Sequence, residues 1–141
     1  MPNLSMAEVV GSTVKNFRQS IPDYVASGVV DMTTGMLLGV DTIDDHPREV
    51  LDMLAAATFD LFQGRAVSTI EDVWNRRRGY TQEIHYFQEI LVNSQNLVHL
   101  FMRGTHSVNI VAAVICRRTV NVGMLFAQAR VVMRQMDEAL A

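Results

Sequence analysis

The sequence predicts an α/β (α+β) fold in which helices cover both faces of a five-stranded, mostly antiparallel sheet. Apolar residues recur at helical spacing near both ends of the chain and in its middle. The apolar runs between these segments are short and are bounded by turn residues, as in strands. The turns are also too short for parallel crossovers. A hairpin followed by a three-strand meander, with helices on the sheet faces, buries all of these apolar surfaces most simply.

Length and composition indicate one globular domain over residues 1–141. Hydrophobic residues make up 49% of the chain and charged residues 19%, which argues against disorder. A net charge of -3 gives no support for a nucleic-acid-binding protein. No apolar run approaches the ~20 residues of a membrane span, and the first residues lack the pattern of a signal peptide. The single cysteine fits a reducing compartment, so we expect a cytoplasmic protein.

The predicted elements follow the order helix, two strands, helix, short helix, three strands and helix. They cover Leu4–Gln19, Tyr24–Asp31, Met36–Val40, Pro47–Gln63, Ser68–Arg78, Gln82–Asn93, Leu97–Arg103, Val108–Cys116 and a last helix that begins at Thr119 or Asn121. Ser5 and Glu8 form a capping-box pattern at the first helix. Gly35 is expected to take a positive φ in the hairpin turn. Asp137 is placed on the polar face of the last helix, away from its buried seam.

Two stretches of the chain resemble the roadblock family. Ile21–Leu38 has the family's Ile-Pro, a strand that ends in Asp, a glycine turn and a second strand, and Asn121–Arg130 has its Asn-x-Gly followed by a helix with Ala and Arg. This family belongs to the longin-like superfamily and includes dynein light chains of the roadblock type and bacterial GTPase regulators. The resemblance covers Leu4–Leu140. Residues 66–79 depart from the compact family pattern and are predicted to be a variable helical segment.

The resemblance implies a non-catalytic protein that works as a dimer. In similar proteins the middle helix and an edge strand pair with their copies, so that two sheets run together. Here those elements would be Pro47–Gln63 and Gln82–Asn93. Some bacterial members bind a small Ras-like GTPase and modulate its nucleotide cycle, and eukaryotic members act as adaptors or scaffolds. The implied function is therefore a homodimeric regulatory or scaffold protein whose partner is a small GTPase.

The residues themselves also favour self-association. The middle helix is apolar on two neighbouring faces, and the strand Gln82–Asn93 is apolar on both sides. An exposed edge strand of that kind aggregates unless something pairs with it, and most soluble oligomers are symmetric. The predicted dimer or partner interface comprises Leu51, Ala55, Thr58, Phe59, Phe62, Ile84, Tyr86, Phe87, Gln88 and Ile90.

Arg76, Arg77 and Arg78 form the only basic run of the chain. A short run of this kind usually lies in solvent at the end of a helix, and that interpretation is favoured here. Contact with an acidic partner is the alternative.

The sequence contains no pattern that is typical of a catalytic, cofactor or metal site. Neither phosphate-loop motif is present. Cys116 precedes Arg117 and Arg118, which could lower its pKa, but a buried structural thiol is favoured. The four histidines lack zinc-ligand spacing. We therefore predict no enzymatic activity and no cofactor.

Two alternatives to the regulatory protein stay open at this stage. A PAS-like or GAF-like sensor would hold a small molecule between sheet and helix. An enzyme with an unrecognised set of catalytic groups is the less favoured of the two.

Overall fold

A computed structural model describes residues 4–44, 56–58, 60–62, 64–78 and 87–141. Its elements are α1 (Met6–Ser20), β1 (Tyr24–Asp31), β2 (Met36–Thr42), α2 (Arg65–Arg78), β3 (Glu89–Asn93), β4 (Leu97–Arg103), β5 (Ile110–Arg117) and α3 (Val122–Leu140). The strands form one sheet in the order β2-β1-β5-β4-β3, and each neighbouring pair is antiparallel. The predicted fold class is therefore confirmed. Most of the predicted helix over 47–63 lies outside the described residues, although 56–58 and 60–62 are helical.

Side-chain caps fix where two of the helices begin. The Ser5 hydroxyl accepts a hydrogen bond from the Glu8 N–H at 3.2 Å, which satisfies one of the free donors at the start of α1. The Asn121 side chain accepts from the Met124 N–H at 3.0 Å. The last helix therefore begins after Asn121, the second of the two predicted starts.

The β1–β2 turn is shaped by one aspartate and one glycine. Oδ1 of Asp31 accepts hydrogen bonds from the Thr33 N–H at 2.9 Å and from the Thr33 hydroxyl at 2.6 Å. The bond from the Thr33 hydroxyl is the main reason that the pKa of Asp31 lies below its usual value. Gly35 has a φ of 75°, a backbone conformation that residues other than glycine rarely adopt. The predicted hairpin is confirmed, and its second strand continues to Thr42.

Each face of the sheet carries its own hydrophobic core. On one face α1 and α3 pack against the sheet around Phe17, Leu100 and Leu125, all of which are fully buried. On the other face Phe62 packs over the sheet. The buried residues of this second core are Val30, Met32, Phe62, Phe101 and Val111. Helical segments therefore lie on both faces, as the apolar patterns predicted.

A polar network ties α1 to the outer strand β2. The Tyr24 hydroxyl donates to Oδ2 of Asp41 at 2.7 Å, and Nε of Arg18 lies 3.1 Å from the same oxygen. Burial raises the pKa of Tyr24 above its ordinary value, so the phenol stays protonated as a donor. The network lies at the β2 edge of the sheet, which is the edge opposite to β3.

Replacing Gly39 by alanine is expected to destabilise the protein. A Cβ at position 39 would overlap Cγ1 of Val10, a residue of α1 that is 2% exposed. Overpacking of this kind costs about 1–3 kcal/mol. Gly11→Ala is the matched control, since a Cβ at position 11 meets nothing within 4 Å. This substitution replaces a glycine inside a helix, which should stabilise the protein by about 0.5–1 kcal/mol. Urea unfolding measures the free energy of unfolding of both variants, and an equal change in the two would contradict the predicted packing.

Candidate interaction surface

The strand β3 forms one outer edge of the sheet. It pairs with β4 and with no other strand among those described. It is shorter than the predicted strand over 82–93. Phe87 and Gln88 precede it instead of belonging to it, and residues 82–86 lie outside the described part of the chain.

The hydrogen-bond pattern determines which backbone groups of β3 face outward. The Arg103 N–H donates to the Gln88 carbonyl at 2.8 Å, so this pair is hydrogen-bonded. Because hydrogen-bonded and non-bonded pairs alternate along an antiparallel ladder, the backbone groups of Ile90 and Val92 point toward β4. Those of Glu89, Leu91 and Asn93 point away from the sheet. No described strand pairs with this open edge, which presents alternating donors and acceptors along the whole of β3.

Apolar side chains lie on both faces of this edge. Ile90 packs against the core that contains Phe62, and Leu91 packs against the core beneath α3. Val92 follows Ile90 on the first of these faces and is 38% exposed. The sequence predicted this two-sided pattern, with Ile90 and Val92 on one side and Leu91 on the other. Phe87 was predicted on the side of Leu91, but it precedes β3 and packs against the same core as Ile90.

Salt bridges and buried polar groups hold β3 in position. Glu89 makes a two-point ion pair with Arg130 of α3, at 2.8 Å and 3.0 Å. Nε of Arg103 donates to the Phe87 carbonyl at 3.2 Å, and its Nη1 donates to the Val108 carbonyl at 2.7 Å. The start of β3 is thus tied to both α3 and the end of β4.

Asp137 belongs to the same framework, and its predicted position on the polar face of the last helix was wrong. It is 5% exposed, and its two oxygens accept from the Thr105 N–H at 2.9 Å and the Ser107 N–H at 3.2 Å. The carboxylate therefore takes up donors of the β4–β5 turn that would otherwise be buried without partners. Only the three-dimensional arrangement brings this helix residue to the turn.

The predicted interface residues fall into three groups. Phe87 and Ile90 are half-buried and Gln88 is exposed beside the β3 edge. Thr58 and Phe62 are 1% and 0% exposed, so their side chains are buried within a single copy of the chain and are not available to a second one. The remaining predicted residues, Leu51, Ala55, Phe59, Ile84 and Tyr86, lie outside the described residues.

Phe62 is held by aromatic and cationic neighbours. Its ring meets the Phe101 ring edge to face, with 6.4 Å between the centroids. The Arg103 guanidinium carbon lies 5.2 Å from the Phe62 centroid. Phe62 thus links the second core to the arginine that also holds the start of β3.

Cys116 lies in an environment that does not favour a reactive thiol. Cys116 is fully buried, and burial, with a smaller contribution from the Asp23 charge, raises its pKa to about 12. The neighbouring arginines therefore do not activate the thiol. Burial lowers the pKa of His99. Across the described ranges, no three or more His, Cys, Asp or Glu side chains gather as a metal site would require. None of the described helices is both long and apolar enough to cross a membrane.

Cys116 is expected to resist thiol reagents in the folded protein. Reaction needs the thiolate, and a pKa of about 12 leaves almost none at pH 8. A disulfide reagent such as DTNB should leave the native thiol unmodified at this pH and should label it fully in urea. Rapid labelling of the native protein would contradict both the burial and the raised pKa.

A shallow groove between α3 and the β3–β4 side of the sheet has a volume of about 300 Å³. Met102, Thr105 and Met133 are among its lining residues, and the Glu89–Arg130 ion pair lies along it. The groove opens to solvent, whereas the sensor alternative expects an enclosed cavity.

The predicted acidic-partner residues lie at the exposed end of α2. Arg76, Arg77 and Arg78 are all exposed. Nε of Arg76 donates to the Asp72 carbonyl at 3.3 Å, and the guanidinium of Arg78 lies 4.9 Å from the Trp74 ring centroid. These arginines belong to α2 and not to the β3 edge.

No family model matches the sequence, and no curated protein matches it. The chain is similar to solved structures. One described as MglB with tetrameric arrangement is 11% identical, with coverage of 96% of this chain and 91% of that chain and a TM-score of 0.70. Myxococcus xanthus MglB is also 11% identical, with 97% and 98% coverage and a TM-score of 0.68. A Roadblock/LC7 domain from Streptomyces avermitilis is 14% identical, with 97% and 98% coverage and a TM-score of 0.63. The fold is therefore of the roadblock type, as the sequence motifs indicated.

Proposed function

We propose that this chain is a non-catalytic homodimer that regulates or tethers a partner protein, and that the partner is a small Ras-like GTPase in the bacterial cytoplasm. The open edge of β3 is the observation that carries this proposal. It combines outward-facing backbone groups with apolar side chains on both faces. An edge of this kind is a template for pairing with another strand.

A second copy of the same strand is a suitable partner. Two β3 strands related by a two-fold axis run antiparallel, and Glu89, Leu91 and Asn93 of each copy then supply the hydrogen bonds. The segment Glu89–Asn93 contains neither lysine nor proline, residues that commonly protect an edge from pairing. Pairing would join two five-stranded sheets into one continuous sheet, which is how the resemblance to the roadblock family implies that dimers form.

The GTPase partner follows from the resemblance together with the fold. The motifs resemble a family whose bacterial members include GTPase regulators, and the fold is similar to that of MglB. The sequence has no phosphate loop of its own. A chain of this kind would act on the nucleotide cycle or the location of a separate GTPase.

Light scattering tests the dimer. We expect a solution mass of twice the 15.8 kDa of one chain. Val92→Lys, at a residue that is 38% exposed, should shift the mass toward that of one chain because it places like charges near the two-fold axis. Val131→Lys is the matched control, since Val131 is 37% exposed on α3 and should leave the dimer intact. A wild-type protein that stays monomeric at high concentration would refute self-pairing.

A nucleotide assay tests the partner. The purified dimer is mixed with small Ras-like GTPases from the same organism, and GTP hydrolysis and nucleotide release are measured with and without it. We expect binding and a changed rate for at least one GTPase, and a smaller effect with Val92→Lys. A stable dimer that neither binds nor affects any of these GTPases would refute the GTPase partner while leaving the dimer untouched.

A further inference from the structure

The helix α2 exposes its apolar side and buries a charged residue. Ile70, Val73 and Trp74 are 48%, 44% and 44% exposed, whereas Glu71 is 6% exposed. A surface helix normally turns its apolar stripe toward the core. The opposite arrangement in α2 leaves apolar area in water, which is unfavourable unless another molecule covers it.

The exposed side chains form one continuous stripe. Ile70, Val73, Trp74 and Arg77 are spaced at i, i+3, i+4 and i+7, so they lie on one face of the helix. We define these four residues as the α2 stripe. Glu71 lies outside the stripe, toward the body of the protein. The stripe therefore has the spacing with which one helix receives the side chains of another.

Positive charge is concentrated at one end of the stripe. Arg76, Arg77 and Arg78 follow one another at the end of α2 in a chain whose net charge is -3. Arg78 lies over the Trp74 ring, so the aromatic and cationic groups form one surface. Such a surface complements a partner that carries apolar side chains beside carboxylates.

We propose that the α2 stripe and the arginines beside it form a docking surface for an acidic amphipathic helix of another protein. The apolar side chains of that helix would pack on Ile70, Val73 and Trp74, and its carboxylates would bind Arg77 and its neighbours. This inference goes beyond the β3 dimer and the GTPase, because its contacts are on α2 and its occupant is a third protein.

Charge makes a second copy of α2 a poor occupant. The first turn of α2 contains no acidic residue. Antiparallel packing of two copies would bring the arginines of one to a first turn that contains Arg65, and parallel packing would bring the three arginines against each other. Both arrangements bring like charges together at the ends of the helices, which is unfavourable.

A lipid surface is also a weaker candidate. Helices that lie in a membrane interface have a large apolar face with basic residues along its flanks. The α2 stripe offers three apolar side chains, and Arg77 lies on the stripe itself. A flat anionic surface would also meet exposed acidic residues such as Asp72 and Asp60, whereas a single peptide helix needs the stripe alone.

Trp74 makes a direct experiment possible because it is the only tryptophan in the chain. The full-length protein is titrated with a synthetic helix-forming peptide that carries leucines along one face and glutamates beside them. We expect a saturable blue shift of the Trp74 emission that weakens as salt is added. The same peptide with lysine in place of glutamate should give no shift.

Two variants assign the contact. Arg77→Glu should weaken peptide binding by about tenfold or more, since a lost charge-assisted contact becomes a repulsive one. Arg134→Glu removes an exposed arginine on α3 and should bind the peptide as the wild type does. Circular dichroism checks that both variants keep the helical content of the wild type.

Four results would overturn the proposal. They are no shift with the glutamate peptide, an equal shift with the lysine peptide, a shift with phosphatidylserine vesicles in place of the peptide, and a shift produced by protein concentration alone. The third would assign the stripe to a membrane surface, and the fourth would assign it to a second copy of the chain.

Discussion

Leu91→Pro should separate the two copies of the proposed dimer while leaving each five-stranded sheet intact. The backbone N–H of Leu91 points away from β4, so proline removes a donor at the open edge and none from the ladder inside the sheet. Both copies carry the change and each loses a hydrogen bond. At about 1 kcal/mol for each bond, with added steric conflict, the dissociation constant should rise roughly 30- to 100-fold. Sedimentation equilibrium measures this change.

Two further variants isolate the cause. Leu91→Ala keeps the outward N–H and loses only side-chain packing, so it should remain more dimeric than Leu91→Pro. Val92→Pro removes an N–H that faces β4 and should lower the free energy of unfolding as well. If Leu91→Pro stays as dimeric as Leu91→Ala, the two copies do not pair through β3.

Local chemistry explains which parts of the fold the sequence could predict. β1 and β4 have the bounds that their apolar runs indicated, because each run ends at a turn with its own signals. The Ser5 cap and the positive φ of Gly35 depend only on residues a few positions apart. Information of this range is present in the sequence itself.

Contacts between distant residues explain what the sequence could not predict. The burial of Asp137 requires the β4–β5 turn to come within reach of α3, and neighbouring residues do not indicate it. The outward apolar stripe of α2 was equally hidden, since a helical pattern alone suggests that its apolar side faces the core. Phe62 illustrates the same limit. Its size and position suggested an interface, but its side chain is buried against the sheet of the same chain.

Phe62→Ala is therefore expected to lower the free energy of unfolding of the single chain, and not merely to weaken an interface. Phe62 is fully buried between Phe101 and Arg103, so truncation leaves a cavity in the second core and removes both ring contacts. Changes of this kind cost about 3–5 kcal/mol. That loss is a large part of the about 5–15 kcal/mol that stabilises a typical domain. Urea unfolding of Phe62→Ala in the Leu91→Pro background measures the effect without a contribution from dimer dissociation.

The residue beside it provides the control for that measurement. Leu61 is 36% exposed, so Leu61→Ala in the same background should cost less than about 1 kcal/mol. A large gap between the two variants would mean that residue 62 stabilises one copy through its own core. If Phe62→Ala had little effect on the unfolding of the monomeric background and instead lowered the association of the wild-type chain, the side chain would belong to the surface between copies, and its burial within one chain would be wrong.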